Sequence, residues 1–278
     1  MKQPVATKAP KSGAAAANLA TAQATATANR GALIAVLVLA LAFPSLITWL
    51  YFIVFAGDSR VKLVYSVGKV LQFVLPVAWV WGVERRRRQG VTLDGSGLVA
   101  SGSATPTSAS RRASALAGAA LGIVIVAALF GLYAGYFRSH PVMAGMPQIV
   151  RDKLADAGIT TPLGFLALAT FYSLIHSALE EYYWRWFVFG RLRTLVPVVA
   201  AIVISSLGFM AHHTLVVGIY FDGLSTMTVL LSAAVAIGGA IWAWLYQRTG
   251  SLVGSWICHA MVDVGIMAVG YDLVFRAA

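Results

Sequence analysis

Three short stretches of this sequence carry acids and bases among residues that otherwise suit lipid. The first reads His176-Ser177-Ala178-Leu179-Glu180-Glu181-Tyr182-Tyr183-Trp184-Arg185, the second Phe209-Met210-Ala211-His212-His213, and the third His259-Ala260-Met261-Val262-Asp263. Ionised groups at mid-bilayer cost about 2.5–3.5 kcal/mol each on the mildest insertion scale, so each stretch needs compensation. At 3.6 residues per turn Glu181 and Arg185 stand i, i+4 and can pair. Glu180 points about 100° away and stacks under His176. Phe209 and His213 share a face, as do His259 and Asp263. Each group needs its own local partner unless the three helices satisfy one another in a common interior, and convergence is the less costly arrangement.

Such an interior suits hydrolysis. A glutamate kept from bulk water can take a proton from a bound water near neutral pH. Histidines can hold that water, donate to an oxyanion on a peptide carbonyl, or ligate a metal. A proton relay in a transporter, or a purely structural polar cluster in a membrane scaffold, uses the same residue types.

The elements that must position these groups are membrane helices. Of 278 residues, 59% are hydrophobic and only 11% charged, and mean hydropathy is +0.78. Soluble domains carry about one-quarter charged residues. The apolar residues come in seven runs of spanning length: Gly31–Ala56, Leu63–Val83, Ser114–Phe137, Thr161–Phe187, Leu195–Val217, Thr226–Tyr246 and Ser251–Val269. The expected fold is an all-α polytopic bundle of about seven transmembrane helices. No internal repeat is visible, so a pseudo-symmetric transporter design gains no support.

Around these runs we expect a disordered basic tail over 1–30, N-terminal transmembrane helices over 31–137 with a flexible loop at 89–110, and a site-bearing region over 161–270. The polar stretch His140–Thr160 has room for a short surface helix. The net charge of +11 does not point to nucleic acid, because the cations sit mostly at helix ends rather than on one face with stacking groups. Their distribution, including Arg85–Arg88, Arg111, Arg112, Arg191 and Arg193, favours a cytoplasmic N-terminus. Lys69 lies inside a span and argues for neither orientation. The single cysteine, Cys258, stands in an apolar run, which excludes an intrachain disulfide and suits a small packing residue.

Taken in order, Glu180-Glu181-x-x-x-Arg185, Phe209-x-x-x-His213 and His259-x-x-x-Asp263 resemble the CPBP family of CAAX prenyl proteases and bacteriocin-processing proteins. The resemblance covers about Thr161 to Val269. It implies an intramembrane peptidase, with Glu180 as the base that activates water and Glu181 with Arg185 as a supporting ion pair. By the same resemblance His213 helps hold the water, and His259 and Asp263, where the family has Asn or Asp, line the oxyanion side. Zinc stays open, with Glu180, His213 and His259 as candidate ligands, since the HExxH helix that marks many zinc peptidases is absent. The substrate implied is a peptide or membrane-associated protein, and the setting a bilayer, most simply the cytoplasmic membrane of a bacterium. The FxxxH spacing selects His213 over His212, because successive helix positions point about 100° apart. His176, outside the motifs, is expected in a supporting position.

Overall fold

The computed structural model describes residues 12–85 and 108–276. Seven helices in it are long and apolar enough to cross a membrane, as the runs predict. The first three are α1 (Thr27–Val54), α2 (Val61–Glu84) and α3 (Ser108–Ser139). A short helix, α4 (Met146–Asp156), comes next in the polar stretch, with Pro147 in its first turn. Four further spans complete the chain: α5 (Pro162–Leu192), α6 (Val198–Tyr220), α7 (Thr226–Thr249) and α8 (Leu252–Arg276). Among the described residues there is no strand.

Two expectations concern the flanking segments. The helix that becomes α1 begins at Ser12, inside the stretch read as a disordered tail. Its Ala-rich sequence has high helix propensity, which a reading weighted by polarity misses. Of the flexible loop, residues 86–107 lie outside the described residues, and 108–110 already form the first turn of α3. Contacts divide the chain after Leu39 into two units. The first is helical from Ser12, and the second, from Ala40, contains all three motifs.

Local chemistry sets the helix ends. Thr161 accepts from the Gly164 N–H and precedes Pro162 at the start of α5, and Ser225 caps α7 through the Thr228 N–H. Gly250, at φ 65°, closes α7 in the left-handed conformation. Ser251 then caps α8 through the Val253 N–H. The link between α7 and α8 is therefore only two residues long.

The helix α5 is the central one. From Glu180 to Phe189 it buries Glu180, Glu181, Tyr183, Trp184, Arg185, Phe187, Val188 and Phe189, so that neighbours surround it on nearly every side. Against it lie α6, α7 and α8. The helix α8 is held in place by α3, where Gly118 and Gly254 bring two backbones together and Ser114 Oγ accepts from the Gly254 N–H at 3.1 Å. Small residues allow this close approach where no hydrophobic driving force separates helix from lipid. Cys258, one turn beyond Gly254 on α8, is buried.

Candidate active site

Glu180 lies between two π-helical segments, Phe171–His176 and Glu181–Phe189, and Glu181 opens the second. A π turn takes in an extra residue and rotates the chain beyond it, and here both carboxylates face inward although consecutive α-helical positions diverge by about 100°. The two i, i+4 pairs expected from the spacing both form: His176 Nε2 lies 3.3 Å from Glu180 Oε1, and Arg185 Nη1 lies 3.1 Å from Glu181 Oε1.

Glu180 is only 2% exposed, yet it meets imidazoles from three helices. Besides His176 on its own helix, His212 Nε2 of α6 stands 3.4 Å from Oε1, and His259 Nε2 of α8 stands 3.7 Å from Oε2. Asp263 follows one turn along α8, with Oδ2 3.7 Å from His259 Nε2. It is the more open member of the group, its side chain 20% exposed. Burying this many ionisable groups is tolerable because they face one another instead of lipid.

Glu181 does a different job. Its Oε1 accepts from His259 Nδ1 at 2.9 Å while pairing with Arg185. The guanidinium lies 4.6 Å from the ring centroid of Phe209 and 4.9 Å from that of Trp242, two faces that offset part of its desolvation. Trp242 also stacks on the His259 ring at 4.0 Å and 16°. The His259 ring is thus fixed on one edge by Glu181 and on one face by Trp242. On the other side Trp184 lies parallel to His212, at 5.6 Å and 1°.

The structure brings Glu180, Glu181, Arg185, His213, His259 and Asp263 into one cluster, with His213 and Asp263 only partly buried, and adds residues to it. His212, which the FxxxH spacing sets aside, points in as well as His213. One ligand atom from each of Glu180, His212 and His213 falls within 4.8 Å of the others, because the 100° between neighbouring positions straddles Glu180 instead of putting one ring outside. His213 turns Nδ1 to the Phe209 carbonyl at 2.9 Å. That i, i+4 contact fixes the ring. His176 touches Glu180 directly. Trp242, in the interior of α7, is not separable from the interface tryptophans by residue type; its place well inside an apolar run is the available signal.

The candidate metal ligands change accordingly. Among the described residues the group with ligand spacing is Glu180, His212 and His213, and could hold an ion. His259 is not in that group, since Glu181 and Trp242 hold its ring on the other side of Glu180. Two imidazoles and a carboxylate suit zinc. His212 Nε2 and Glu180 Oε1, both buried, face each other at 3.4 Å, two atoms that one ion could take as ligands.

A polytopic helical membrane protein with a buried glutamate–histidine site is the class that fold and geometry define. Residues 161–265 match the family model described as Type II CAAX prenyl endopeptidase Rce1-like, which bears out the resemblance carried by the three motifs. The match contains every motif residue, from Glu180 to Asp263. No curated protein and no solved structure matches the chain. Protease activity toward a peptide or membrane-protein substrate in a bilayer is what this family supports.

Proposed function

We propose that the chain is an intramembrane endopeptidase in which Glu180 activates water. The observation that carries this reading is a buried carboxylate with three imidazoles at 3.3, 3.4 and 3.7 Å. Glu180 takes a proton from water as the oxygen attacks the peptide carbonyl carbon, and passes it to the departing amine. His212 and His213 hold the water. A proton on His259 Nε2 is donated to the oxyanion, with Asp263 beside it. Glu181 orients His259 through Nδ1, and Arg185 balances Glu181.

Were zinc bound, Glu180, His212 and His213 would hold it, and it would supply Lewis-acid activation of the water and the carbonyl in place of the Glu180 base. The residues around it keep their parts: Glu181 and Trp242 still fix His259, and Asp263 still borders the carbonyl oxygen.

In this reading residues 161–270 form the hydrolytic region, with the N-terminus cytoplasmic in a bacterial membrane. A cleft of about 520 Å³ between α5 and α8 gives a side approach; its wall includes Ser173 and Val264, the latter next to Asp263 in sequence. Comparing membrane peptidomes of cells carrying the native chain and Glu180→Ala tests the proposal. Peptides lost and precursors accumulated in the variant support it. Identical peptidomes, with the variant present at native levels, favour a scaffold or proton-relay role instead.

A further inference from the structure

The helix α2 lies outside the stretch matched to the family, yet it faces the site. Three contacts fix its register against α5. The Tyr65 and Tyr172 hydroxyls interact, Tyr182 Oη donates to the Phe73 carbonyl at 3.5 Å, and Arg191 pairs with Glu84 at 3.2 Å. The two helices therefore run in the same direction. Lys69, midway between Tyr65 and Phe73, comes level with His176, about one helical turn from Glu180. Its charge acts on both Glu180 and His212.

A half-buried ammonium inside a span is costly, and among the described residues no carboxylate forms an ion pair with Lys69. Nζ donates to Gln72 Oε1 at 3.3 Å and lies 5.5 and 5.9 Å from the ring centroids of Tyr65 and Phe73. Gln72 is fully buried, and its Nε2 has no hydrogen-bond partner among the described residues. Glu180, the nearest acid to sense Lys69, is already engaged by His176, His212 and His259. The aromatic and amide groups hold the ammonium in place without neutralising it.

We propose that Lys69 is a specificity-determining residue that binds a carboxylate of the substrate beside the scissile bond. This rests on the peptidase reading above. One helical turn is about 5.4 Å and an extended peptide advances about 3.3–3.6 Å per residue, so the carboxylate lies about two residues from the bond that Glu180 attacks. A chain's own C-terminal carboxylate and an Asp or Glu side chain offer the same chemistry. In a site this dry an ammonium–carboxylate contact is worth far more than on a wet surface.

The test uses the purified full-length chain in detergent micelles with apolar decapeptides of one sequence. One form ends in a free carboxylate, one in an amide, and the others in an amide with a single Glu placed in turn at each of the last four positions. Cleavage gives KM and kcat, and fluorescence anisotropy on Glu180→Gln gives Kd without turnover. At least one carboxylate form should show KM and Kd about tenfold below the neutral amide, equivalent to about 1.4 kcal/mol. Lys69→Met and Lys69→Gln should erase the preference and Lys69→Arg keep it. The form preferred identifies the source of the carboxylate. No carboxylate preference in the native chain overturns the inference before any variant is made, as does a preference that survives in Lys69→Gln. A Lys69-dependent binding preference without cleavage of any peptide would leave this subsite standing and remove the peptidase reading; cleavage without preference would do the reverse.

Discussion

Glu181 and His259, separated by 78 positions in the sequence, meet at 2.9 Å in the interior of the helix bundle. The contact joins two of the three motifs, and it divides labour between adjacent glutamates. Glu181 is tied to Arg185 and to the ring of His259, whereas the ion-pair contacts of Glu180 among the described residues are all to imidazoles.

That division predicts opposite outcomes for matched substitutions. Glu181→Gln removes the anion facing a buried arginine, and losing one partner of a buried pair costs about 3–5 kcal/mol. Denaturant unfolding in micelles should show a loss of that order. Glu180→Gln should unfold close to the native midpoint. Equal stability of the two variants would contradict the assignment of Glu181 as the structural acid.

Both histidines of α6 should matter to metal affinity, and the histidine of α8 should not. In a zinc titration by calorimetry, His212→Ala and His213→Ala should each weaken binding at least about tenfold, the scale on which even outer-shell partners act. His259→Ala should leave the affinity near native. The opposite ranking would return His259 to the ligand set.

Asp263 stands beyond hydrogen-bonding distance of His259 Nε2, at 3.7 Å, and is partly open. A group that borders the carbonyl oxygen from there needs polarity more than charge. Asp263→Asn should therefore retain cleavage within about tenfold, and Asp263→Leu, which leaves no polar group beside the His259 imidazole, should lose about 10²-fold or more, the lower end of what acid–base groups contribute. Initial rates on a peptide cut by the native chain decide between them.

The seam between α3 and α8 sets where His259 stands. A Cβ on Gly118 would collide with the Gly254 backbone. Gly118→Ala gains helix propensity of about 1 kcal/mol, but overpacking costs about 1–3 kcal/mol and displaces a helix that carries two motif residues. Reduced thermal stability together with reduced activity is expected. A stabilised and fully active variant would show that the seam does not position the site.

Much of this organisation is legible in the sequence, for physical reasons. Seven spans follow from the length of apolar runs, and the pairs His176–Glu180 and Glu181–Arg185 follow from helical periodicity. What escapes is whatever depends on helix rotation or on partners remote in sequence. Periodicity alone puts His212 out of the site, since it cannot tell whether two neighbouring rings straddle a target or one of them faces it. Trp242 and Lys69 are placed by packing between helices, and their residue types read as interface anchors or as an anomaly. The helix before residue 30 escapes because an Ala- and Thr-rich segment looks unstructured when polarity is the guide.

The central claim is that Glu180 activates the water, and the most direct measurement compares cleavage of one peptide by the purified native chain and by Glu180→Gln, both shown to be folded by their unfolding midpoints. Removal of a general base costs about 10²–10⁴-fold, so the variant should fall by at least about 10²-fold in kcat while KM stays within a few-fold. A folded Glu180→Gln that cleaves at the native rate would contradict the account.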